Sequence, residues 1–324
     1  MSINLLFISI RKVTNNTLLS YAGSLVAALN FTYIALTLHA LTEVSAVLLL
    51  CLLLYVISSN YRSAGQLTFI HLSLFLLNLL SLIKPQFIFL VAATALIIIP
   101  VFYFKKYLLK PKSILTLGVV FSPLFIQLAI VKLKHDRFAI STVGSGTIKS
   151  YLLAQAYSEL TGMNRERSIE FINTLSAKEL RDFCIKNSRV ILRCFVNNVK
   201  KNIDSRPIIL TDPPGFGNFR MYQLMSNYNS IMYQVHKFFL ILVLISLGIL
   251  IKRKEYSYLI PIAFGATVVY SIFFASGVSF LQGDRLVLPA LPVWVFLYCL
   301  IFNYLDKVLF FTGVVVMFTI YQIT

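Results

Sequence analysis

Acid is what this sequence has least of. Its 324 residues hold 12 Asp and Glu against 29 Lys and Arg, and charge of either sign makes up only 13% of the chain. So little charge excludes an ordinary water-soluble globular domain. Histidine and cysteine number four each, and tryptophan occurs once. The histidines do not cluster, and no cysteine spacing suits a structural metal. Cys51 and Cys299 fall inside apolar runs and read as packing residues. Cys184 and Cys194 lie ten apart in what reads as a single helix. That is roughly 15 Å along its axis, too far for a disulfide. The sequence also lacks a Walker-type phosphate loop, a dinucleotide fingerprint, a His-Glu-x-x-His motif and a cleavable signal peptide. No internal repeat or low-complexity tract is present.

What is there is apolar. Hydrophobic residues make up 58% of the chain, with 27 Phe and 17 Tyr, and the mean hydropathy is +0.81. Such a chain reads as a protein of several membrane spans, with aromatic anchors at the interfaces. The formal charge of +17 would suggest nucleic acid in a soluble protein. Here most basic residues fall in loops, where membrane topology accounts for them, and nucleic acid is not an expected partner.

Nine apolar segments are expected to span, at 19–38, 40–58, 66–83, 84–104, 113–133, 236–252, 258–279, 286–304 and 307–323. Each is near the about 20 residues a helix needs to cross the hydrocarbon core. Lys84-Pro85 separates two of them, because the residue before a proline resists helix. Residues 1–10 are apolar but too short to span. They read either as the last half of a span or as a short interfacial helix. The expected fold is therefore all-α: a polytopic transmembrane helix bundle of about nine spans with a helical extracytoplasmic insert. Its parts are an N-terminal bundle (1–133), the insert (134–235) and a C-terminal bundle (236–324).

The short loops give the orientation. One set carries eleven basic residues, including Arg11, Lys12, Lys105, Lys106 and Lys252 to Lys254. The alternate set carries only Lys84 and Arg285, against Glu43 and Asp284. The basic set is cytoplasmic, which places the N-terminus inside and the insert outside. Within the insert, Thr147 to Leu160 reads as one helix. Ser176-Ala177-Lys178-Glu179 is a capping box that opens a second, continuing to about Lys200. In that second helix Leu180, Phe183, Cys184, Ile191, Cys194 and Phe195 share one face. Lys178, Arg189, Arg193 and Lys200 share the other. The helix either lies on a membrane, caps a cavity or packs a small domain core.

The chemistry-bearing residues sit at the outer ends of spans. They are His39 and Glu43, four apart; Lys84; and the pair Asp284-Arg285 ahead of Leu286-Val287-Leu288-Pro289-Ala290-Leu291-Pro292. An ionisable group at a span mouth is a functional candidate. Arg and Lys suit a phosphate, and an acid suits orientation or deprotonation of an attacking group. Each also has a plainer role. Lys84 and Arg285 can snorkel to headgroups, Glu43 can sit at a helix N-terminus for its dipole, and His39 can be structural.

Ala40-Leu41-Thr42-Glu43 opening a span, Ile83-Lys84-Pro85 opening another, a long outer insert and Asp284 to Pro292 near the end follow the order of one superfamily. From about residue 15 to 304 the chain resembles the membrane glycosyltransferases of the GT-C type, among them protein mannosyltransferases and the bacterial aminoarabinose transferase of lipid A. The resemblance implies a polyprenyl-phosphate sugar donor, a lipid, glycan or protein acceptor, and transfer on the extracytoplasmic face, with a bacterial inner membrane as the location. By position Glu43 matches the family's cavity acid, Lys84 the Lys-Pro basic residue, and Arg285 the basic residue near the carrier phosphate. His39 and Asp284 rank second. No cofactor is assigned, and a divalent metal ion is left open. The family's opening span and its acidic first outer loop have no counterpart, so a chain shortened at its N-terminus and inactive alone is also expected. The alternatives are an O-antigen-type polysaccharide polymerase or ligase, and a transporter or non-catalytic remnant. Transporters, however, hold their charges near the membrane midplane.

Overall fold

The structure is a computed structural model that describes residues 1–30, 42–60, 67–84, 111–136, 148–204 and 291–304, with a few isolated residues between and beyond them. Its secondary structure is entirely helical among the described residues. The helices are α1 (Ser2–Thr14), α2 (Thr17–Ala28), α3 (Thr42–Asn60), α4 (Leu67–Ile83) and α5 (Pro111–His135). After one π-helical stretch, Ile148–Leu153, come α6 (Ala154–Thr161), α7 (Arg165–Thr174), α8 (Ala177–Lys186), α9 (Ser188–Asp204) and α10 (Leu291–Tyr304).

The first helix is a core element, not one lying on the bundle's surface. Leu6 and Ile10 are fully buried in the main hydrophobic core, and α1 packs against α2, α3 and α10. It closes on Asn15, whose φ of 52° is left-handed and whose N–H donates to the Arg11 carbonyl. Asparagine tolerates that conformation better than a branched residue. Asn16 then caps α2, its side chain accepting the Leu19 N–H at 3.1 Å. Two residues of link leave α2 antiparallel to α1. Gly23 is closely packed: an added Cβ would lie 2.6 Å from Cys299 Sγ and 2.9 Å from Ile10 Cδ1. A larger residue would push α10 and α1 off α2.

The apolar helices satisfy several of their hydroxyls internally. Ser9, Thr14 and Ser58 donate to the carbonyls of Leu5, Ile10 and Leu54, four residues back. Such bonds suit a surround that offers no water. Pro123 sits inside α5 and has no N–H to give the Val119 carbonyl. The Ser122 hydroxyl takes that carbonyl at 2.8 Å, and Asn78 of α4 donates to the next one, Val120, at 2.9 Å. A proline in a span is tolerated where side chains and a neighbouring helix take up the freed backbone in this way.

Among the described residues, α5 is the one helix long and apolar enough to cross a membrane. It leaves Leu115 73%, Phe125 62% and Leu133 86% exposed, whereas the core helix of a soluble protein hides such side chains. Thr17–Ala28, Glu43–Ser59, Ile70–Ile83 and Leu291–Asn303 are shorter apolar stretches. The expected segments 236–252, 258–279 and 307–323, and most of 84–104, lie outside the described residues.

The part of the insert between Ile148 and Asp204 has its own small core. Leu153, Ala154 and Ile172 are buried, and Tyr157, Leu180, Phe183, Cys184 and Ile191 pack on them. Tyr157 stacks on Phe171 at 4.3 Å between centroids. The capping box forms: Ser176 Oγ accepts the Glu179 N–H, and the Glu179 carboxylate accepts the Ser176 N–H. The expected continuous helix over 176–200 does not. It breaks at Asn187, which caps α8 and returns its side chain to the Phe183 carbonyl. An amide side chain bonding its own backbone competes with the helix, and the break lets both halves face one core.

Candidate functional site

Glu43 lies in the first turn of α3, and Lys84 is the residue after α4. Pro85 fixes where α4 stops, because a residue before proline disfavours helix. The Lys84 Nζ donates to Glu43 Oε1 at 3.0 Å. Glu43 is 2% exposed and Lys84 9%, so this is a buried ion pair; Val47 and Leu80, one turn along the same two helices, belong to the main core. The helix ends favour it. The carboxylate sits at the positive end of α3 and the ammonium at the negative end of α4. The two residues are 41 apart in sequence; only antiparallel packing of α3 on α4 joins them.

The opposite end of the bundle is basic. Lys12 at the end of α1 donates to Ser59 Oγ at 2.7 Å and lies 4.6 Å over the Tyr55 ring. Arg11 donates to Thr17 Oγ1. Glu43 and Ser59 are sixteen residues apart on α3, about 24 Å at the helical rise. Arg11 and Lys12 are thus at the far end from the Glu43–Lys84 pair.

The direction of α10 follows from its contacts with α2. Cys299 Sγ lies 3.6 Å from the Leu19 carbonyl, while Val295 adjoins Gly23. Residue numbers rise along α2 as they fall along α10, so the two run antiparallel. Because α2 starts at the basic end, α10 starts at the end that holds Glu43 and Lys84. Arg285 precedes the first residue of α10, Leu291, by six positions. Asp284, Arg285 and His39 themselves lie outside the described residues.

Among the described residues no three His, Cys, Asp or Glu come together as a metal site requires.

Reading the sequence missed two polar groups. Asn78 and Ser81 are fully buried on α4 below Lys84, with the Ser81 hydroxyl on the Asn78 carbonyl at 2.7 Å. Their signal was an asparagine within an otherwise apolar run. The second lies in the insert, between α6 and α9. Arg193 donates to Glu159 at 3.0 Å, and Asn198 to Gln155 at 2.9 Å. Burial works against the charge of Glu159. Hydrogen bonds from the Cys194 thiol and Arg193, with the guanidinium's own charge, still carry its carboxyl below the ordinary value. The Cys194 thiol is pushed up to about 11, by burial first and by Glu159 second, which leaves it unreactive. The signal here was the matched four-residue spacing of Gln155 with Glu159 and of Cys194 with Asn198.

No family model, curated protein or solved structure matches the chain.

Proposed function

We propose that this chain is an integral-membrane glycosyltransferase of about nine spans that moves a sugar from a polyprenyl-phosphate donor to a lipid, glycan or protein acceptor. Transfer takes place on the face away from the cytosol, in a bacterial inner membrane, with the 134–235 insert on that side. One observation carries the reading. A buried Glu43–Lys84 ion pair lies at the bundle end where α10 begins, six residues after Arg285. The exposed apolar stripe of α5 supports the membrane setting.

In the proposed reaction the acceptor hydroxyl attacks the anomeric carbon. The bond from that carbon to the phosphate oxygen breaks, and the phosphate leaves with the electron pair. Lys84 and Arg285 hold the departing phosphate, where charge develops in the transition state. As Lys84 turns to the phosphate, Glu43 is released to orient the acceptor and take its proton. Asp284 and His39 are second-rank contacts on the same side.

The test uses the full chain in proteoliposomes with a radiolabelled polyprenyl-phosphate sugar. Donor binding is expected from the unaltered chain, and at least a tenfold loss of it from Lys84→Ala with Arg285→Ala. Normal donor binding by that double variant would overturn the assignment. A silent Glu43→Gln beside inactive Arg189 or Arg193 variants would favour a polysaccharide polymerase instead.

A further inference from the structure

The two faces of α9 do different things. Ile191, Cys194, Phe195 and Asn198 turn inward. Arg189, Leu192, Arg193 and Val196 turn outward, with Leu192 62% and Val196 43% exposed. On a helix these four lie within one arc, since residues three and four apart are neighbours. Of the three expected uses of the apolar stripe, packing of the insert's own core is the one observed. The outward arc combines cations with two bare aliphatic side chains.

We infer that this outward arc is a docking surface for the anionic lipid headgroups of the membrane in which the chain sits. Three observations select that occupant. The helix carries Arg189, Arg193, Lys200 and Lys201 against a single acid, its last residue Asp204. Leu192 and Val196, one turn apart, would sit at the acyl boundary while the arginines meet phosphate oxygens; this is how an interfacial helix binds. Finally, the insert is tethered close to a bilayer. The span-length helix α5 ends at His135, thirteen residues before Ile148, with Lys132 and Lys134 in its last turn. Exposed Ile185 and Lys186, just before the break at Asn187, add one more aliphatic and one more cation. Arg193 also holds Glu159, so Arg189 is the cleaner probe of the charge.

The test is made on the full chain in vesicles. Cys51, Cys194 and Cys299 are buried and Cys184 is partly buried; a Val196→Cys, Cys184→Ala chain therefore offers its new thiol for labelling under native conditions. The probe is an environment-sensitive fluorophore at position 196, with brominated lipid as the membrane quencher and acrylamide as the water quencher. In vesicles containing phosphatidylglycerol, brominated lipid should quench several-fold more than in phosphatidylcholine alone. Arg189→Glu or high salt should abolish the difference. The same fluorophore at Glu170, on exposed α7, should respond to acrylamide alone. Equal acrylamide quenching at 196 in both vesicles, with none by brominated lipid, would overturn the inference. So would shielding from both quenchers, which would mean a protein surface covers the arc.

Discussion

Glu43 and Lys84 illustrate how far one pair can carry two meanings. Buried ion pairs are strongly destabilised when one partner is removed, because the other charge is left buried; replacing both by apolar residues is often neutral. Glu43→Gln or Lys84→Met alone should therefore lower stability by about 3–5 kcal/mol, and Glu43→Leu with Lys84→Met should recover most of it. Apparent unfolding temperatures in detergent would measure the cycle. Activity must not follow stability. If the double variant regains both fold and sugar transfer, the pair is packing only and the proposed chemistry lies elsewhere. Position accounts for the pair's place in the fold. Each charge sits at the helix end whose dipole favours it, which is why an acid opening one helix and a base closing the next are compatible with so apolar a core.

At the scale of elements, the insert is where charge controls order. The Glu159 carboxyl lies below its ordinary value in the fold, so its contribution is fully present above the unfolded value, about 4.3. It is lost as pH falls through the lower, folded value. Glu179, lowered by bonds from the Ser176 hydroxyl and N–H, titrates in the same direction. Limited proteolysis of the insert should be pH-independent near neutrality and accelerate below about pH 4. Glu159→Gln should remove part of that acid sensitivity. Arg193 and Glu159 are 63% and 33% exposed, so the pair is worth at most about 1 kcal/mol, and the change should be small. Unchanged acid sensitivity in Glu159→Gln would remove this carboxylate from the account. The break at Asn187 belongs to this scale as well. Local spacing supported a continuous helix; the break at Asn187 instead turns Phe183 of α8 and Ile191 of α9 onto the same small core.

For the whole molecule, the decisive quantity is which end of the bundle faces which compartment. The basic end at Arg11 and Lys12 and the Glu43–Lys84 end are separated by the length of α3, and the proposed membrane setting puts them on opposite sides. In a Cys184→Ala chain, a cysteine at position 189 should react with a membrane-impermeant maleimide from outside the cell. One at position 12 should react only after permeabilisation. Labelling of both from the same side would contradict the topology. Much of this arrangement was legible in the residues alone. All-helical structure, the stop at Lys84-Pro85, the capping box at Ser176 and the separation of Arg11 and Lys12 from Glu43 all follow from short-range rules of sterics, capping and loop charge. The tertiary structure decided what depends on partners distant in sequence: that Glu43 and Lys84 touch, that Asn78 reaches the backbone beside Pro123, and that α10 starts at their end. It also showed that the apolar face of α9 turns inward. Composition and periodicity describe how one segment meets its surroundings; which segment forms those surroundings is settled only when the helices pack.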